Sequence, residues 1–112
     1  NALFHSDTVQ TIGHYDLDLS ATIIDFITCS AHKFHGPKGV GFAYINNETI
    51  INPFIEGGSQ ERGYRGGTES IHNILGLKTA FEISYESLEK DSKKVSKIKE
   101  YFIHSILKYT WN

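Results

Sequence analysis

The residues around one lysine are the part of this sequence best suited to chemistry. Lys33 lies in the segment 30–39, SAHKFHGPKG, where hydroxyl, imidazole and glycine residues surround it. A strand-like apolar run precedes this segment and another follows it. A neutral lysine amine held at a strand end can form a Schiff base with an aldehyde. We therefore interpret Lys33 as the candidate attachment point of an aldehyde cofactor.

Pyridoxal phosphate is such an aldehyde, and it makes further demands on a protein. Its ring nitrogen needs a carboxylate, its phenolic oxygen needs a donor, and its phosphate needs hydroxyls, amides or cations. Asp7 ends an apolar run and is the candidate for the ring nitrogen, while Gln10 is within reach of the phenolic oxygen. Ser30 and His32 flank the lysine and are candidates for the phosphate. Taken alone, each also has a structural reading, since an aspartate after a strand commonly forms a turn.

Three stretches of the chain resemble motifs of the class V, fold-type I pyridoxal-phosphate enzymes, most of all the NifS/IscS cysteine desulfurases. Residues 5–10, HSDTVQ, resemble the H-x-D-x-x-Q segment of that family. Residues 30–33, SAHK, resemble its S-x-H-K lysine motif and are followed by the expected GPKG. Residues 57–69, GGSQERGYRGGTE, resemble its glycine-rich loop G-G-x-Q-E-x-G-x-R-x-G-T-E. The likeness extends over nearly all of residues 3–81.

The resemblance implies a role for each candidate residue. Lys33 would hold the cofactor and later move the proton at the substrate α-carbon. Asp7 would hold the pyridinium nitrogen, and Gln10 would donate to the phenolic oxygen. The remaining roles concern phosphate: Ser30 and His32 would bind it within the subunit, and Thr68 would reach the cofactor phosphate of a neighbouring subunit. The resemblance thus implies a homodimer, with the glycine-rich loop at its interface.

The function implied by the resemblance is desulfuration of L-cysteine to L-alanine, with the sulfur held as an enzyme persulfide. A sulfur-acceptor or scaffold protein for iron–sulfur cluster or thio-cofactor assembly would be its partner. In the family the nucleophilic cysteine lies well downstream of the lysine, so Cys29 is expected to be a buried small hydrophobe. We expect this chain to be a segment of a larger protein, and we expect the segment to be inactive alone. The alternatives are another class V enzyme, such as a selenocysteine lyase or an aminotransferase, and a non-catalytic scaffold.

The pattern of apolar residues predicts the elements that would position these groups. Runs at 2–5, 23–28 and 39–45 are typical of strands, and the second is nearly continuous, as in a parallel sheet covered on both faces. We expect an α/β fold, part of the large domain of an aspartate-aminotransferase-like, pyridoxal-phosphate-dependent transferase, with a mostly parallel sheet and C-terminal helices. In such sheets, ligands bind at the carboxyl ends of strands.

The whole segment 1–112 is thus interpreted as one partial domain. The sheet and the lysine would occupy 1–55, the glycine-rich interface loop 56–70, and helices 71–110. Two helices are predicted, because Asp91 and Ser92 interrupt the apolar pattern. Their predicted apolar stripes are Ile71, Ile74, Leu75, Phe81 and Leu88 in the first, and Val95, Ile98, Phe102, Ile106 and Tyr109 in the second.

Composition and residue spacing limit the kinds of partner and ligand to be expected. The formal charge of −2 gives no basic footprint for nucleic acid, and no apolar run approaches the roughly 20 residues of a membrane span. A single cysteine among 112 residues favours a reducing compartment, the cytoplasm or an organellar matrix. His32 and His35 have a loose spacing that lacks the partners of a zinc site, so no metal is expected. The segment 36–39 also lacks the spacing of a nucleotide-binding P-loop.

Overall fold

The computed structural model describes residues 2–47 and 49–110, in which a small sheet packs against one end of a long helix. The strands are β1 (His5–Asp7), β2 (Phe26–Ser30) and β3 (Gly41–Ile45). A 3₁₀ helix, Ala31–Phe34, follows β2 directly and contains Lys33, so we name it the lysine turn. A second 3₁₀ helix spans Glu61–Gly63, and the helix α1 spans Ile71–Thr110.

The sheet has the order β1-β2-β3, with β2 in the middle. β1 and β2 run parallel, and Asp7 at the end of β1 is paired with Thr28. β2 and β3 run antiparallel, with Ser30 opposite Gly41. One pairing of each kind is present among the described strands, so a mostly parallel sheet is not confirmed by them.

Both strands of the parallel pair begin about three residues later than the apolar pattern predicts. The side chain of Ile23 is 97% exposed, although its residue type favours a strand interior. Pairing begins instead at Asp25, whose amide donates to the carbonyl of Phe4 at 3.0 Å. The Asp25 carboxylate in turn accepts the amide of Phe4 at 2.7 Å, and it accepts the hydroxyl of Thr49 at 3.2 Å. The start of the paired strands thus coincides with these hydrogen bonds of Asp25 and not with the start of the apolar run.

The core lies between β2, the lysine turn and the first half of α1. Its buried side chains are Ile12, Ile24, Ile27, Cys29, Ala31 and Phe34. The ring of Phe81 on α1 meets the rings of Phe34 and Phe42 edge to face, each at a centroid distance of 6.1 Å. Such aromatic pairs add stabilisation beyond the buried area itself. The helix is thereby fixed to the element that carries the lysine.

The prediction of two helices is wrong, because α1 is continuous from Ile71 to Thr110. Asp91 and Ser92 lie in its interior, where each costs less than about 0.7 kcal/mol relative to alanine. A salt bridge between Glu89 and Lys93, at the favourable i, i+4 spacing, spans the same position. The polar residues therefore interrupt the apolar stripe without ending the helix.

The buried stripe of α1 also differs from the predicted one. Ile71 and Leu75 are largely exposed. The residues that pack on the core are Leu77, Ala80, Phe81 and Tyr85, and Ser84 is buried beside them. Within the part of the chain that the structure describes, no helix combines the length and the apolar character needed to cross a membrane.

Candidate active site

The lysine turn presents Lys33 by burying its own first and last residues. In a 3₁₀ helix, positions i and i+3 lie on the same side. Ala31 and Phe34 occupy these positions and are 0% and 1% exposed. His32 is consequently exposed and Lys33 half-buried, on the side away from the core.

The backbone of the lysine turn is fixed at both ends. At its start, the Ala31 amide donates to the carbonyl of Val40 at 3.0 Å. The turn ends at His35, which has a left-handed conformation with φ 69°.

Asp7 lies at the carboxyl end of β1, beside the strand that leads to Lys33. Its register partner, Thr28, is two residues before Ser30, the last residue of β2. The Asp7 carboxylate accepts the amide of Val9 at 3.0 Å, which forms a local turn and fixes the side chain at the strand end. The structure thus brings Asp7, Ser30 and the lysine turn to one edge of the parallel pair, where ligands bind in α/β sheets.

Gln10 lies in the loop that follows Asp7, residues 8–15, which we name the Asp7 loop. Its side chain is exposed. Thr8 anchors the start of the loop, since its amide and its hydroxyl both donate to the carbonyl of Thr28, at 3.0 and 2.9 Å. No motif of the sequence marks Thr8, although a buried threonine after a strand end is well placed for such an anchor.

The end of the Asp7 loop contacts the lysine turn. The Nε2 atom of His14 lies 3.1 Å from the backbone oxygen of Lys33. Gly13 has φ +79°, and a Cβ built on it would lie 2.7 Å from the Cβ of Phe34. His14 and Lys33 are 19 residues apart in the chain, so no local pattern could indicate this contact.

Thr68 lies on the exposed loop between Glu61–Gly63 and α1, not on the strand ends that carry Asp7 and Ser30. This glycine-rich loop is ordered by its own polar groups. Gln60 accepts the amide of Gly67 at 3.2 Å, and the Arg65 guanidinium donates to the carbonyls of Gly66 and Gly67 at 3.2 and 3.3 Å. Thr68 and Lys33 thus lie on different elements of the chain.

Cys29 is buried in β2, at 5% exposure, which confirms the expectation of a small core residue. Burial raises the pKa of its thiol, and the nearby Asp7 carboxylate adds to this effect. A raised pKa keeps the thiol protonated and unreactive at neutral pH. Among residues 2–47 and 49–110, no group of three or more His, Cys, Asp or Glu side chains could hold a metal ion.

A lysine and a carboxylate at adjacent strand ends of an α/β unit indicate a cofactor-dependent enzyme. The chain belongs to the aminotransferase class-V family, whose model matches residues 1–110. The resemblance noted in the sequence is thereby confirmed.

Named relatives agree with this family. The chain is 42% identical over 105 residues to cysteine desulfurase IscS of Dictyoglomus turgidum, covering 94% of this chain and 27% of that protein. A solved NifS-like protein superimposes with a TM-score of 0.88 at 42% identity, over 95% of this chain and 29% of its own. A structure of SspA in complex with cysteine matches at 40% identity and a TM-score of 0.68, over 71% of this chain and 24% of that one. The chain thus spans about a quarter of the length of these relatives.

Proposed function

We propose that the complete gene product is a pyridoxal-phosphate-dependent cysteine desulfurase, and that this chain supplies the cofactor-holding wall of its active site. One observation carries the proposal. Asp7 and the lysine turn stand at the same edge of two paired strands, in a chain that is 42% identical to a cysteine desulfurase over 94% of its length.

The side chains gathered at this edge fit the cofactor in chemical type. They offer an amine, a carboxylate, an amide, a hydroxyl and an imidazole, from Lys33, Asp7, Gln10, Ser30 and His32. The lysine is half-buried and the carboxylate exposed, so the edge is open to a ligand. Pyridoxal phosphate bound there would supply an electron sink for the substrate α-carbon.

Each residue then has a defined task. The Nζ atom of Lys33 binds the cofactor covalently and moves the proton at the substrate α-carbon. The Asp7 carboxylate, held at the strand end by its turn with Val9, keeps the ring nitrogen protonated. Gln10 donates to the phenolic oxygen, because its amide group carries two donors. Ser30 and His32 orient the phosphate.

Thr68 is proposed to act in a second subunit. Its exposed loop is ordered by its own hydrogen bonds, which suits an element that projects towards a partner. In a homodimer, Thr68 would donate its hydroxyl to the phosphate held by the partner, so each pocket would contain residues of both chains.

The proposed substrate is L-cysteine, and a sulfur-acceptor or scaffold protein is the proposed partner. Cys29 is unsuited to receive the sulfur, because its thiol is buried and its pKa is raised. The persulfide-forming cysteine is therefore proposed to lie outside these 112 residues. A reducing compartment, the cytoplasm or an organellar matrix, would keep such a thiol available.

Spectroscopy and product analysis test the proposal. The complete gene product is incubated with pyridoxal phosphate and its visible absorption is recorded, with Lys33→Ala as the test variant. Lys38→Ala is the matched control, since Lys38 is an exposed lysine five residues away. We expect Lys33→Ala to abolish the protein-bound absorption band and Lys38→Ala to retain it. Added cysteine should yield alanine and, with a reductant, sulfide; transamination without sulfide would contradict the proposal.

A further inference from the structure

The backbone carbonyl of Lys33 is bound by a side chain from another part of the chain. The last carbonyls of a helix have no partner within it, and here the ring of His14 takes that place at 3.1 Å. Because a carbonyl oxygen only accepts, the Nε2 atom of His14 must carry the hydrogen. The contact therefore fixes the tautomer of the histidine as well as the end of the lysine turn.

Backbone packing beside this hydrogen bond brings the same two elements together. Gly13 precedes His14, and its hypothetical Cβ would lie 2.7 Å from Phe34 Cβ and 3.1 Å from Ser84 Oγ. A separation under 3.0 Å leaves no room for a side chain, so the loop backbone lies directly on the residue after Lys33. The buried side chain of Ile12 anchors the preceding position in the core.

The Asp7 loop is thus held at both ends by the elements that flank the lysine. Thr8 fixes its first residue to the backbone of β2. His14 fixes its far end to the backbone of Lys33. Gln10 lies between these two anchors, and Asp7 directly precedes the first of them.

We propose that His14 is a positioning residue for Lys33. Its hydrogen bond links the loop that follows Asp7 to the lysine backbone, which sets the position of the amine relative to the carboxylate and the amide. His14 acts through the backbone of Lys33 and touches no reacting atom. This inference rests on the proposed function, because it assigns His14 a role in presenting the lysine to pyridoxal phosphate.

The test compares two substitutions at the same position. His14→Leu removes the donor, whereas His14→Gln retains an amide donor on a flexible side chain. His104→Leu is the matched control, since Nδ1 of His104 likewise contacts a backbone oxygen, that of Glu100 at 3.1 Å, in the second half of α1. All three variants are made in the complete gene product.

Two quantities are measured for each variant. Cofactor-free protein is titrated with pyridoxal phosphate to obtain its Kd from the visible absorption, and amide hydrogen exchange is followed in residues 31–36. We expect His14→Leu to raise the Kd about threefold to tenfold, the range that one hydrogen bond supports, and to speed exchange in that segment. His14→Gln should stay within about twofold of wild type, the range of a retained donor. His104→Leu should change neither quantity.

The outcomes separate this inference from the proposed function. If the wild-type band depends on Lys33 but His14→Leu leaves the Kd and the exchange unchanged, the role of His14 is refuted alone. Equal losses in His14→Leu and His14→Gln would also refute it, because the donor would then be irrelevant. If the wild-type protein forms no band that Lys33→Ala removes, the proposed function fails and the role of His14 with it.

Discussion

At the scale of single residues, the site depends on two polar residues that lie between two buried apolar residues. Ala31 and Phe34 are fully buried, and between them His32 and Lys33 project away from the core. Because its first and last residues are anchored in the core, this short helix fixes the backbone from which the two polar side chains project. The burial of Ala31 and Phe34 therefore fixes the lysine turn in the core, and the contact of His14 with the Lys33 carbonyl adds a polar anchor.

Asp7→Asn tests the proposed electrostatic role of this carboxylate. The amide oxygen of asparagine can still accept the amide of Val9, so the local turn should persist. The loss of negative charge at the ring nitrogen should lower desulfurase turnover on the order of a hundredfold, as for other groups that stabilise developing charge. Steady-state alanine formation by the complete gene product measures the effect.

Asp18→Asn is the matched control for this substitution. The Asp18 carboxylate accepts the amide of Ser20 at 2.8 Å in the same type of turn, away from the lysine turn. The Asp18→Asn variant should therefore retain wild-type turnover. Similar activity in the Asp7→Asn and Asp18→Asn variants would refute the role of Asp7.

Cys29 should make stability depend on pH in the alkaline range. Burial raises the thiol pKa in the folded protein above the ordinary value of 9.0, so the unfolded chain loses its proton first. The stabilisation is fully present below pH ~9 and is lost as the pH rises towards the folded pKa, with a slope of at most about 1.4 kcal/mol per pH unit. Urea unfolding of wild type and Cys29→Ala from pH 7 to 10 measures this; parallel curves for the two proteins would contradict it.

At the scale of elements, the contact between the Asp7 loop and the lysine turn can be tested with two glycines. Gly13 and Gly39 have nearly equal φ values, +79° and +82°, but a Cβ on Gly39 would have no atom within 4 Å. Gly39→Ala should therefore cost only the left-handed conformation, about 1–2 kcal/mol. Gly13→Ala should cost a further 1–3 kcal/mol or so from overpacking against Phe34.

Urea unfolding of the two variants gives the comparison directly. Because the two φ values nearly match, the difference between the variants reports the packing of the loop on its neighbours, of which Phe34 is the nearest. Equal destabilisation by both substitutions would mean that the loop is not closely packed there.

The sequence predicted the order of these elements better than their limits. The strand, lysine, turn and strand around Lys33 follow from apolar runs and from Gly36 and Pro37, which are local signals. The start of β2 depends on the bonds of Asp25 with Phe4 and Thr49, which are distant in sequence. The contact of His14 with Lys33 likewise joins residues far apart. Contacts of this kind form only when the chain is folded, so no periodic pattern contains them.

At the scale of the whole molecule, the two halves of α1 have different surroundings. The first half packs on the core through Leu77, Phe81 and Tyr85. In the second half, Val95, Ile98 and Phe102 are 64%, 59% and 61% exposed, although they recur at helical spacing. An apolar stripe that is exposed in this way favours association.

A polypeptide of these 112 residues is therefore expected to self-associate through the second half of α1. Ile98→Lys combined with Phe102→Lys should shift it towards monomer, because the substitutions remove apolar area and add charge. The matched control is Ser92→Lys with Ser96→Lys, which adds the same charge at the same spacing while the apolar side chains remain. Sedimentation velocity over a range of concentrations measures the effect, and far-UV circular dichroism verifies that the helix persists. If both double variants reduce association equally, the added lysines on the helix and not the loss of the apolar stripe account for the effect.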